Sequence, residues 1–186
     1  MKVSRRLALG GGSASCSPIG AEPNADGSRI YVACEHSGEV LEIDAASWSV
    51  IRRITVGGAP GAFALTRDGR LLVVADRTRQ AVALIDLGSG TERARIATRM
   101  MSGPVALLLT LGSDSWPLIA GLARWPGSRL PINIALSPDD RYAFVTISRL
   151  GLLPGAVEVV DLAATKAVET VDVGPKAVGI GFWKMQ

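Results

Sequence analysis

In a chain of 186 residues, 20 basic against 17 acidic side chains leave a formal charge of +3, too mild and too scattered for the basic stripe that nucleic-acid binding requires. Apolar residues make up 48% and aromatic ones only 5%, which fits a globular Val/Ala/Leu-rich sheet core and provides no stacking platform for bases. One histidine and two cysteines, with no carboxylates spaced to join them, leave nothing arranged as a zinc site, which takes three or four converging ligands.

At the N-terminus, Ser4-Arg5-Arg6-Leu7-Ala8-Leu9 has the look of a twin-arginine export motif, and Ala14-Ser15-Cys16 that of a lipoprotein cleavage site. Gly10-Gly11-Gly12-Ser13 stands where an export signal needs its apolar stretch. Residues 3–11 align instead with Val50-Ile51-Arg52-Arg53-Ile54-Thr55-Val56-Gly57-Gly58, a strand followed by a turn. The glycine triplet is then a connection between units; no Lys-Ser/Thr follows it to make a phosphate loop.

Residues 14–58 and 59–98 each hold four short apolar runs separated by Gly/Asp/Ser clusters, the pattern of four antiparallel strands A to D. Asp26-Gly27-Ser28-Arg29-Ile30-Tyr31-Val32-Ala33 returns about 42 residues later as Asp68-Gly69-Arg70-Leu71-Leu72-Val73-Val74-Ala75. Gly27 to Asp44 and Gly69 to Asp86 match without a gap. From 99 to 130 the register is lost: Pro104-Val105-Ala106-Leu107-Leu108-Leu109-Thr110 resembles an A strand, so a degenerate half-blade and an inserted loop or short helix both stay open. Gly112, Asp114 and Pro117 interrupt its apolar run and argue against a membrane span. Residues 131–174 hold a third copy, with a B–C hairpin four residues longer, and 177–183 read as one more A strand.

A period of this length, built from short apolar runs, marks a propeller or a similar array. The register of Asp-Gly, Tyr-Val-Ala, Val-x-x-Ile-Asp and Val-Gly-x-x-Pro over residues 3–98 and 131–183 resembles the YVTN family of β-propeller repeats. The resemblance implies an all-β fold of antiparallel four-stranded blades with strand A innermost, and a periplasmic or extracellular home. Residues 3–11 become the outer strand of a preceding blade, 14–58, 59–98 and 131–174 three full blades, and 177–183 the inner strand of a following one. Propellers close with roughly four to eight blades, so an open or incomplete ring is expected. It would be completed by further copies, as a homo-oligomer, or belong to a longer propeller, and self-association follows from its exposed edges.

Strand direction puts the A–B and C–D turns on one face and the B–C and D–A connections on the other. Both departures from the repeat, 99–130 and the hairpin around Arg149, fall on the second face, which is therefore the expected binding face. Its candidate binding residues are Glu35, His36, Arg77, Arg79 and Arg149. A lone histidine in a turn is no metal site, and no catalytic residue or cofactor is assigned. Asp44, Asp86 and Asp161 recur in every C–D turn and Asp26, Asp68 and Asp139 in every A–B turn, so they are expected to accept turn amides. Cys16 and Cys34 fall on strands A and B of one blade, where a disulfide is geometrically feasible. A buried thiol at Cys34, set against Ala75 and Thr146 of the other copies, is the competing expectation. The expected function is a non-catalytic scaffold presenting loops to a protein, polymer or small ligand. The alternatives are a lactonase-like propeller hydrolase, with Glu35 and His36 as candidates, and a fragment without independent function.

Overall fold

The computed structural model describes residues 5–9, 15–98, 130–148, 155–174 and 179–181. Twelve strands form three antiparallel four-stranded sheets, and the described residues contain no helix. The first sheet is β1 (Pro18–Pro23), β2 (Arg29–Cys34), β3 (Glu39–Asp44) and β4 (Ser49–Thr55). The second is β5 (Pro60–Leu65), β6 (Leu71–Asp76), β7 (Ala81–Asp86) and β8 (Thr91–Ala97); the third is β9 (Leu130–Leu136), β10 (Tyr142–Ser148), β11 (Ala156–Asp161) and β12 (Lys166–Asp172). Each sheet is a plain meander, every strand pairing with its neighbour in the chain. The expected segment 99–130 lies outside the described residues up to the first residue of β9, and so do Arg149 and most of its hairpin. Of the strand expected over 177–183, the described residues 179–181 make no strand pairing.

The sheets stack face to face, and this stacking explains the composition of the strands. The two middle strands of the second sheet are covered on both sides, so Leu-Leu-Val-Val-Ala-Asp and Ala-Val-Ala-Leu-Ile are buried without interruption. The outer strand β4 has one wet face and alternates Val50, Arg52 and Ile54 with exposed neighbours. Tyr31, Val40, Ile54 and Val56 of the first sheet meet Phe63, Leu72, Val74 and Ile85 of the second. Val73, Leu84 and Ile96 on its other face meet Ile134, Val145 and Val160 of the third. Each fully buried leucine or isoleucine here stabilises the stack by about 2 kcal/mol.

Turn chemistry repeats with the blades. Asp44, Asp86 and Asp161 each accept a hydrogen bond, at 2.8 Å, from the backbone N–H three residues on. Asp26, Asp68 and Asp139 accept from Ser28, Arg70 and Arg141 N–H at 2.8, 3.0 and 3.2 Å. The third A–B turn has Asp140, φ 55°, where the others have Gly27 and Gly69. Aspartate tolerates this left-handed backbone better than most residues, and here its carboxylate accepts Arg67 N–H of the second sheet at 2.7 Å.

Residues 5–9 make no strand pairing, yet they lie against the free face of the first sheet in a recognisable way. Leu7 and Leu9 pack on Val32, Leu41 and Ile43 much as Ile54 and Val56 pack on Val74, Ala83 and Ile85. Arg53 donates to Leu9 O at 3.4 Å as Arg95 donates to Val56 O at 2.8 Å. Arg5 donates to Ala46 O and Arg52 to Leu87 O, both in the C–D turn of the sheet that follows.

Candidate functional site

The backbone puts the B–C turns and the D–A connections at one end of every sheet, where Gly38 O accepts from Val56 and Gly57 N–H. Here the structure brings together the described candidates, tying Glu35 to Arg77 and Arg79 to the blade junction. Arg77 donates to Glu35 at 2.7 Å, joining the B–C turns of neighbouring sheets, with both side chains about one third exposed. Arg79 donates to Val56 O at 3.2 Å and lies 3.6 Å from Asp76. His36 is exposed, with no polar partner among the described residues.

The anchor of this end is Asp76, which the sequence reading passed over. It is fully buried, and its Oδ1 accepts Arg79 N–H at 3.0 Å and Ala59 N–H at 3.3 Å. Its Oδ2 pairs with Arg95 at 2.5 Å, and Arg95 in turn holds Val56 O and Glu92. A buried carboxylate is tolerated only when paired and hydrogen-bonded, and this one is. The Gly57-Gly58 connection makes room for it: a Cβ on Gly58 would overlap the Asp76 carboxylate, and one on Gly57 the Arg79 guanidinium.

Cys16 and Cys34 are joined by a disulfide, with their Cα atoms 4.5 Å apart. Pairing register corrects the sequence alignment at this point. Pro18 faces Cys34 as Pro60 faces Asp76 and Pro131 faces Ile147, so Cys34 corresponds to Asp76 and Ile147, not to Ala75 and Thr146. Cys16, two residues before Pro18, corresponds to Gly58. In the first sheet a covalent bond thus stands where the second has the glycine–carboxylate contact. Closing a chain separation of 18 residues stabilises by about 3 kcal/mol through the unfolded state. Cys16 lies just ahead of β1 rather than on it.

The cavity lies on the innermost strands. Ile19, Gly20, Ala21 and Glu22 of β1, Ala62 and Phe63 of β5, and Ile132 and Asn133 of β9 line an open cavity of about 310 Å³. This is the lower end of the range for small-molecule sites. Its lining mixes apolar side chains and exposed backbone with two polar side chains, those of Glu22 and Asn133. Glu22 is half-buried, has no hydrogen-bond or ion-pair partner among the described residues, and burial pushes its carboxyl above the ordinary value. Asn133 Oδ1 accepts Ile134 N–H at 2.8 Å, which leaves its side-chain NH₂ as a donor. Sequence reasoning missed both because it looked for function in loops. The signal was present: pairing register aligns Glu22 with Ala64 and Ala135, and Asn133 with Gly20 and Ala62. Among the described residues, no group of three or more His, Cys, Asp or Glu side chains converges to hold a metal ion.

No family model matches the chain. It is similar to a seven-bladed β-propeller protein of Mycobacterium tuberculosis, 28% identical over 156 residues that cover 73% of this chain and 38% of that one. Among solved structures it is similar to hydrazine synthase of Kuenenia stuttgartiensis, with a TM-score of 0.64 and 22% identity over 86% of this chain and 38% of that one. The three sheets are blades of a β-propeller. The chain spans 38% of the length of each relative, and the second likeness speaks to fold alone. In propeller terms, the cavity lies on the axis side of three consecutive blades, and Asp76 and the disulfide sit at blade entries.

Proposed function

We propose that this chain is a non-catalytic binding module of the YVTN-repeat type, and that it takes a small ligand into the cavity on its innermost strands. One observation carries the reading. The described arginines on the rim are engaged in blade-to-blade contacts, whereas the cavity keeps a carboxylate without a partner among the described residues and an amide NH₂ free to donate. A single carboxylate beside a single amide can orient a ligand, and among the described residues no second acid–base group of the kind hydrolysis calls on stands beside them. The B–C turns then act as the rigid frame of the site. We read residues 5–9 as standing where the outer strand of a neighbouring blade would pack, supported by the shared contacts of Leu7, Leu9 and Arg5. A periplasmic or extracellular setting is in keeping with the disulfide.

A cavity-filling variant tests this. Fragments that bind the native chain in a library screen should lose at least tenfold in affinity to Ala62→Trp and keep it with Arg79→Ala on the rim. Hits that bind Ala62→Trp undiminished and fail with Arg79→Ala would return the site to the rim.

A further inference from the structure

We propose that the cavity selects an organic cation, a primary ammonium or guanidinium group on a short apolar chain, with Glu22 as its counter-ion. This rests on the cavity being the binding site. Four other carboxylates at least partly sheltered by the fold have arginine partners. Glu35 has Arg77, Glu39 has Arg53, Glu42 has Arg52 and Asp76 has Arg95. Glu22 is half-buried and has neither an arginine nor a backbone amide among the described residues. It also departs from alanine at the matching place in the other two blades, Ala64 and Ala135. The blade fold therefore does not need a carboxylate there. Among the described residues no lysine or arginine lines the cavity, so an anion entering it would meet the Glu22 charge without compensation from them.

The other walls set the rest of the ligand. Ile19, Ile132 and Phe63 offer apolar contact to a chain of a few carbons, and the free NH₂ of Asn133 offers a donor to a carbonyl or hydroxyl on it. A cation seated against Glu22 gains a charge-assisted hydrogen bond in a partly dry site, stronger than a neutral donor would make.

The test is a charge series of one shape: n-butylammonium, n-butylguanidinium, n-butanol and butyrate, each titrated into the native chain while cavity amide shifts are followed by NMR. Both cations should bind at least tenfold more tightly than butanol or butyrate. Glu22→Gln should weaken the cations on the order of tenfold to a hundredfold, and Glu169→Gln on the exposed face of β12 should leave them as in the native chain. Butanol or butyrate shifting the same amides as strongly, or cations binding Glu22→Gln unchanged, would overturn the cation assignment while leaving the cavity as the site. If no probe of any charge moves the cavity amides, both fall. The series on the native chain decides the matter even where a Glu22 variant does not fold.

Discussion

Gly27 and Gly58 have nearly the same backbone, φ 71° and 66°, in opposite surroundings. A Cβ on Gly27 would meet nothing within 4 Å, whereas on Gly58 it would run into the buried Asp76 carboxylate. Alanine at Gly27 therefore pays only for the left-handed backbone, about 1–2 kcal/mol. At Gly58 the same substitution also pushes Asp76 off Arg95 and Ala59 N–H, so a loss of about 3 kcal/mol or more is expected. Urea unfolding of the two variants checks it; equal losses would mean that Asp76 is not the anchor of this blade junction. Cys16 and Cys34, at the equivalent positions, show the same junction closed by a covalent bond instead.

At the scale of the element, the turns carry a pH signature. Hydrogen bonds hold five aspartates below their ordinary value: from the Ser28, Thr66 and Ser137 hydroxyls first for Asp26, Asp68 and Asp139, and from Ser47 and Ser89 N–H first for Asp44 and Asp86. A depressed folded-state pKa means that the unfolded chain takes up protons first as pH falls. The stability these turns contribute is present above about pH 4 and is lost as pH drops through their folded values. Glu22 has the opposite sign, since burial raises it, so its contribution is full below about pH 4.3 and is lost as pH rises through its folded value. Five against one, the chain should lose stability in acid. The urea midpoint should fall between pH 6 and pH 3, and fall less in Asp44→Asn/Asp86→Asn; a midpoint independent of pH would contradict the role given to these turns.

Over the whole molecule, the blades were legible in the sequence and the candidate cavity was not, for one physical reason. Blade architecture depends on local pattern, short apolar runs and aspartate turns repeated at a fixed spacing, and the four strands of each of the three sheets fell where that pattern put them, while residues 5–9 and 179–181 form no strand. The fate of Glu35, Arg77 and Arg79 depends on which blade lies beside which, and only the stacked sheets reveal that these charges bind each other or a neighbouring blade. Asp76 was hidden in the same way, because its partners come from Ala59, Arg79 and Arg95. Glu22 could have been found by asking where an inner strand departs from its own repeat, instead of where loops lengthen.

The axial cavity as the place of binding is best tested by titrating a fragment library into the labelled chain and mapping the amides that shift. Shifts gathered on residues 19–22, 62–63 and 132–133 are the predicted result. Shifts confined to Glu35, His36, Arg77 and Arg79, with the inner strands silent, would contradict it.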